Sequence, residues 1–289
     1  MRQSKVAAFL NHKGGVGKTT SVMNIGAGLA ILGNRVLLVD LDPQAHLTRF
    51  LGIERGTIKK TIFDVLSNGF DPHEAVVKRT LKARMHMDGH DNEIAISLIP
   101  CAVEFANAEV TLSRVSRPEF LLKKVVDEVR NDYDYILLDC SPSLGLVSTN
   151  ALIAAQTVFV PVQTEYLALH SLDDLMTKIY AVMAQLNSDL DIGGFIATRF
   201  DGRKVLSRTV VQTMRERYGA LLFDTMIRDN IVLAESPQYG KDIFSYRSRS
   251  FGAEDYLKVA EEVMERMSNG EPAESNEFDA LETYVGRPT

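Results

Sequence analysis

Short runs of consecutive apolar residues alternate along the chain with longer stretches whose apolar positions recur every three or four residues. The short runs have the length and continuity of strands buried on both faces, and the longer ones the period of helices. Val6–Leu10 predicts a first strand, Thr19–Leu32 a helix closed by Gly33-Asn34, and Val36–Leu41 a second strand. Ile94–Ile99, Tyr135–Asp139, Val158–Val162 and Gly194–Thr198 predict further strands, with helices over Phe120–Arg130 and Val205–Tyr218. Tyr256, Leu257, Val259, Ala260, Val263, Met264 and Met267 predict a last helix over Ala253–Met267. This alternation specifies an α/β class, a doubly wound and mostly parallel sheet flanked by helices. There is no fixed-period repeat. Residues 1–268 read as a single domain, and 269–289, rich in Gly, Pro, Ser and acids, as a mobile acidic tail.

Composition narrows the function without naming it. The 289 residues are 45% apolar and 24% charged, enough for one large core. The net charge of −6 gives no bulk attraction to nucleic acid, so such contact would need a local basic patch. Glu271, Glu274, Glu277, Asp279 and Glu282 crowd the end, leaving the body nearer neutral. Two distant cysteines, Cys101 and Cys140, fit a reducing compartment better than a disulfide scaffold. No run approaches the roughly 18 apolar residues of a membrane span. The expected location is the cytoplasm.

The chemistry starts after the first strand, at Lys13-Gly14-Gly15-Val16-Gly17-Lys18-Thr19-Thr20. A Gly-Lys-Thr cluster alone describes a turn, but here a strand precedes it and a helix follows, the context of a phosphate-binding loop. Glycines leave the backbone N–H groups open to phosphate oxygens, and the helix N-terminus adds its dipole. Lys18 supplies a full positive charge, the Thr19 hydroxyl suits Mg²⁺, and Thr20 is placed for the α-phosphate. The strict pattern needs glycine at position 12, where this chain has His12, read as a loop residue. It carries an additional lysine, Lys13, instead.

A nucleotide loop needs a carboxylate from a neighbouring strand end to hold Mg²⁺. Tyr135-Ile-Leu-Leu-Asp139 has that form, and Val36-Leu-Leu-Val-Asp40-Leu-Asp42 repeats it. Any single aspartate at a strand end is as readily a cap or a turn. Three of them beside a phosphate loop favour chemistry, with in-line attack of water on the γ-phosphate of Mg·ATP.

Lys13-Gly-Gly-Val-Gly-Lys-Thr-Thr20 resembles the deviant Walker A motif of the ParA/MinD superfamily, closest to its short, Soj-type partitioning ATPases. Asp42-Pro43-Gln44 and Asp139-Cys-Ser-Pro-Ser143 match the two switch segments. Asn150–Ala155, Val160–Gln163, Glu165-Tyr166, Leu233–Pro237 and Ser250–Ala253 extend the likeness over most of the chain. The resemblance implies a homodimer in the ATP state, with Lys13 reaching the partner's nucleotide. It also implies that Asp42 positions the attacking water and joins Thr19 and Asp139 around Mg²⁺, with Asp40 supporting the loop. The adenine pocket would draw on Thr198, Arg199, Asp229 and Asn230. Further implications are nonspecific DNA affinity, nucleoid association, and activation of hydrolysis by a ParB-like or cargo-adaptor partner.

Arg203, Lys204, Arg208, Arg215 and Arg217 form one possible phosphate-binding patch, and Lys241, Arg247 and Arg249 another. Solvated helix faces are the plain alternative. One departure matters. Where chromosomal members read Pro-Arg-Asn-Val-Arg-Leu-Ser-Glu, this chain has Arg228-Asp229-Asn230-Ile231-Val232-Leu233-Ala234-Glu235, which alters the expected DNA surface. A MinD-like membrane-positioning ATPase is a rival, disfavoured by the acidic end. An iron–sulfur ATPase of the nitrogenase iron protein type, also with two cysteines per subunit, is another.

Overall fold

The computed structural model describes residues 4–84, 91–165 and 172–269. Seven strands form one sheet: β1 Lys5–Phe9, β2 Val36–Leu41, β3 Val77–Arg84, β4 Asp91–Ile99, β5 Tyr135–Cys140, β6 Thr157–Gln163 and β7 Asp191–Thr198. Their order is β3-β4-β2-β5-β1-β6-β7. All neighbours are parallel except β3, which runs antiparallel to β4. β1 therefore lies between β5 and β6, and the loop leaving its C-terminal end opens where ligands bind in such sheets.

Strand alternation explains why the core has two layers. Ile136, Leu138 and Cys140 of β5 join one buried cluster with Val6 and Ala8 of β1. Tyr135 and Leu137 join the other, with Ala7 and Phe9. Both faces are covered, so the strands read as unbroken apolar runs.

The helix after β1, α1 (Lys18–Ile31), is buried nearly all round because it lies between the sheet and the last helix, Phe251–Asn269. Its glycines set that distance. A Cβ on Gly26 would lie 2.7 Å from Leu38, and one on Gly28 would lie 2.8 Å from Ala260. Alanine at either position would push the layers apart.

The observed elements differ from expectation mainly in extent. The helix expected over Phe120–Arg130 is α-helical over Leu121–Val129, with 3₁₀ turns at Pro118–Phe120 and Arg130–Asp132. β4 starts at Asp91 and β7 at Asp191, earlier than Ile94 and Gly194, because pairing extends past the apolar stretch. The last helix runs over Phe251–Asn269. The expected acidic tail lies outside the described residues beyond Asn269. Helices over Ile62–Asn68, Leu146–Ala154 and Leu172–Gln185 add to the predicted set. β3 was not expected as a strand: Val-Lys-Arg-Thr-Leu-Lys-Ala-Arg carries four cations, and its eight-residue pairing with β4 makes it a strand.

Candidate nucleotide and magnesium site

The loop from Leu10 to Gly17 turns sharply between β1 and α1. Gly15 and Gly17 have φ of 76° and 88°, values that suit glycine, and Gly17 caps the helix. Gly14 and Gly15 would have no neighbour within 4 Å of an added Cβ, so their space faces an open cavity. Neighbouring strands fix the loop. The Asn11 amide donates to the Pro161 carbonyl at 2.8 Å and its oxygen accepts from the Lys13 N–H at 2.9 Å. The Thr198 hydroxyl donates to the Val16 carbonyl at 2.8 Å. The Pro161 and Thr198 ties join the loop to β6 and β7 and the Asn11–Lys13 bond braces it internally, so it is held ready before a ligand arrives.

Lys18 opens α1, and its ammonium donates to the Lys13 carbonyl at 3.3 Å. Burial pushes its pKa down, while Asp139, Cys140 and Asp42 oppose that shift. The cavity in front of it has a volume of about 540 Å³ and is lined by the glycines, Lys18–Thr20, Asp42 and the turn Ser141–Ser143. Lys13 is directed elsewhere: its ammonium pairs with Glu165 at 3.2 Å. The two lysines of the motif are thus separated within one chain.

Asp40 and Asp139 are register partners on adjacent strands, and both are fully buried. Asp40 is saturated. Its carboxylate accepts the Asp42 N–H at 3.2 Å, the Thr48 N–H at 2.9 Å and the Thr48 hydroxyl at 2.7 Å. Burial pushes its pKa up to about 6, and those hydrogen bonds hold it from going higher. The Thr48 hydroxyl also accepts the Cys101 N–H at 3.1 Å. Asp42 then closes its own turn by accepting the Gln44 N–H at 2.9 Å. Ala45, left-handed at φ 50°, completes the bend into the helix His46–Phe50.

Asp139 is the opposite case. Neither of its carboxylate oxygens has a hydrogen-bond partner. Burial raises its pKa well above the ordinary range, and Asp40 adds to that; the nearby Thr19 hydroxyl and Lys18 favour the charged form. Thr19 is thus close enough to act on the charge without meeting hydrogen-bond geometry. A buried carboxylate left without donors, beside a hydroxyl and a phosphate cavity, fits a hard divalent cation.

A second cavity of about 590 Å³ shares Gly15, Gly17 and Thr20 with the first and extends along Thr198, Arg199, Asp229 and Asn230. It is the right neighbourhood for a base and ribose joined to phosphates in the first. Leu233 and Tyr256, which the sequence did not assign to a nucleotide pocket, also line it. Arg199 is left-handed at φ 52° and pairs with Asp229 at 3.6 Å. Asn230 accepts the Val232 N–H and caps the helix Ile231–Glu235. Arg228 lines the cavity as well, with its guanidinium bound to Asp255 and Glu254 and lying over the Phe251 ring.

A family model described as an AAA domain matches residues 4–192. The sporulation initiation inhibitor protein Soj of Bacillus subtilis (strain 168) is 39% identical over 259 residues, 90% of this chain and 98% of that protein. The chromosome-partitioning ATPase Soj of Treponema pallidum (strain Nichols) is 40% identical over 262 residues, 91% and 98% of the two chains. The chain belongs to the ParA/MinD superfamily of ATPases. Among solved structures, a cobyrinic acid a,c-diamide synthase from Mycobacterium smegmatis with bound ADP and magnesium superposes with a TM-score of 0.78. It is 32% identical, and the match covers 93% of this chain and 98% of that one. This ParA-type protein is an ATPase with ATP and Mg²⁺ as nucleotide and metal.

Other residues of the ParA-like ATPase fall into place around that site. Just after Ser143, the Leu144 carbonyl accepts a hydrogen bond from Lys178 at 2.5 Å. Cys101 and Cys140 are free thiols, each 1% exposed, and burial pushes both pKa values up. Of the candidate DNA contacts, Arg203 is held by Asp201 through two bonds at 2.9 and 3.0 Å. Lys204 lies 3.6 Å from the same carboxylate, and Arg208 donates to the Gly202 carbonyl. Arg247 and Arg249 are exposed and have no ion pair among the described residues. No described helix is long and apolar enough to cross a membrane.

Proposed function

We propose that this chain is a partitioning ATPase whose ATP-bound form is a homodimer with affinity for DNA of any sequence. Hydrolysis, stimulated by a ParB-like or cargo-adaptor partner, then releases it. The observation that carries this reading is the separation of the two lysines. Lys18 faces its own phosphate cavity, whereas Lys13 sits on Glu165 outside it and is free to be redirected to a second subunit's nucleotide. A residue 30% exposed in a weak surface pair costs little to redirect.

In this scheme the backbone of Gly14–Gly17, with Val16 between the glycines, and the N-terminus of α1 cradle the β- and γ-phosphates. Lys18 neutralises their charge, Thr20 reaches the α-phosphate, and Thr19, Asp42 and Asp139 form the magnesium shell. A Mg²⁺ held by these residues would supply electrostatic stabilisation of the phosphate charge. Asp42 orients the attacking water; one of its oxygens is occupied by the Gln44 N–H, which fixes the direction of the other. Thr198, Arg199, Asp229 and Asn230 flank the base. Residues up to 268 act as one nucleotide-binding unit, and the protein associates with the nucleoid.

Lys18→Ala should lose nucleotide binding. Asp42→Ala should bind ATP, dimerise and fail to turn over. Lys13→Ala should bind ATP as a monomer. Sedimentation velocity with ATP, together with a DNA mobility shift, tests all three. A Lys13→Ala protein that dimerises with ATP like wild type would overturn the role given to Lys13.

A further inference from the structure

The wall of the phosphate cavity formed by Ser141–Ser143 belongs to a short segment strung between two fixed points. It begins after Asp139 and Cys140, which the sheet holds by pairing β5 with β1 and β2. It ends at Gly145, just before the helix Leu146–Ala154, whose Val147, Ala151 and Leu152 are buried in the core. Between those points Pro142 and Ser143 are exposed. Among the described residues, one hydrogen bond ties Pro142–Leu144 to another element: the Lys178 ammonium donates to the Leu144 carbonyl at 2.5 Å.

Lys178 sits on the helix Leu172–Gln185, where its long stem could carry the charge out to water. Instead the side chain is half-buried and turned toward a main-chain carbonyl. Burial pushes its pKa down, and Glu109 opposes that shift. Glu109, from the helix Ala108–Leu112, also lies against the segment. An added Cβ on Gly145 would meet the Glu109 carboxylate, so anything larger than glycine there would displace it. That carboxylate stands near the N-terminus of the helix Leu146–Ala154, where the helix dipole favours a negative charge. Two charged side chains from two other helices thus converge where the wall ends.

We propose that Lys178 is a positioning residue for ATP hydrolysis, fixing the Ser141–Ser143 wall of the cavity through the Leu144 carbonyl. The inference rests on the nucleotide site proposed above and needs neither the DNA affinity nor the activating partner. A plain staple between helices is the competing role, but that role is already filled. The Asn187 amide donates to the Leu152 and Ala155 carbonyls at 2.9 and 2.8 Å, and Leu175 and Ile179 share a core cluster with Ala151 and Leu152. Lys178 acts instead at the opposite end of the helix Leu146–Ala154, where the wall joins it. Nucleotide binding draws on the loop glycines and Lys18, which this bond does not touch. In-line attack is more demanding, since a misplacement of about 1 Å can cost on the order of 100-fold. A slack wall therefore slows turnover and leaves affinity alone.

The test measures basal Mg·ATP hydrolysis by the full chain, as kcat and KM, beside binding of a fluorescent ATP analogue. Lys178→Met should lower kcat about tenfold, with KM and analogue affinity within about twofold of wild type. Lys178→Arg, which restores a charged donor of similar reach, should recover kcat to within about threefold. Glu109→Gln should fall between Lys178→Met and wild type. Wild-type kcat in Lys178→Met, or a KM that rises as kcat falls, overturns the positioning role. So does a Lys178→Arg protein no faster than Lys178→Met. Lys18→Ala, run in parallel, reads the site itself: if it still binds the analogue like wild type, the phosphate site is overturned, whatever Lys178 does.

Discussion

The two ends of the sheet handle charge in opposite ways. At the C-terminal ends of β1, β2 and β5, Asp40, Asp139 and Lys18 are buried, their pKa values are displaced, and Asp139 has no hydrogen bond. At the N-terminal ends, polar groups are exposed and paired. Arg35 meets Asp134 through two side-chain bonds at 3.1 and 3.0 Å, just before β2 and β5 begin. His73 bridges Asp71 and Asp132 at 2.7 and 3.0 Å. One end stores unmet demand for a ligand, at a cost in stability; the other is already satisfied and serves the fold.

Four substitutions would break or sharpen that contrast. The largest effect is expected from Asp139→Asn, which should lower Mg·ATP turnover on the order of 100-fold or more. The nucleotide-free protein should melt higher, by roughly 2–4 °C, because a buried carboxylate without donors is gone. A variant that lost activity and also stability would mean that Asp139 has a structural partner. Thr48→Val comes next. It keeps the volume but leaves the Cys101 N–H without an acceptor and removes one of the two hydrogen bonds to the same Asp40 oxygen, so denaturant unfolding should show a loss of about 2 kcal/mol. Turnover should fall with little change in KM for ATP, since Asp40 holds the Asp42 turn and not the nucleotide.

At the opposite end the effects shrink. Arg35→Ala removes an exposed pair, and should shift the melting temperature by no more than about 2 °C with kcat unchanged. The smallest effect concerns His73. Its pKa is raised, first by Asp71 and then by Asp132. A raised folded-state pKa stabilises the folded protein below the unfolded value of 6.5, and that gain fades as pH climbs through the folded one. Melting curves of wild type minus His73→Gln should therefore show a small positive difference near pH 6 that vanishes by about pH 8. A difference that grew with pH would reverse the sign assigned to this bridge.

Legibility followed the same division. Lys18, Thr19, Asp42 and Asp139 stood out because phosphate and magnesium chemistry calls for those residue types at a loop-helix junction and at strand ends; Lys18, Thr19 and Asp42 line one cavity, and Asp139 is buried close to Lys18 and Thr19. Thr48 gave no signal, since a threonine in a short helix is unremarkable until its hydroxyl is seen joining Asp40 to the chain at Cys101. Glu165 could be quoted as part of a resemblance, but its pairing with Lys13 joins residues 152 positions apart. Arg203 and Arg247 looked equally available in sequence, and only their neighbours distinguish them.

Apolar runs buried on both faces, glycines that open a phosphate loop, and acids that end strands are local properties, and the sequence alone determined them. β3 shows the limit. Its four cations hide its strand character, because pairing with β4 contributes the backbone hydrogen bonds that local propensity does not favour. Which carboxylate is saturated, which lysine faces the cavity and which cations remain unpaired depend on partners far away in the chain. Those choices belong to the tertiary structure, because electrostatics acts through space and burial, neither of which is ordered by residue number.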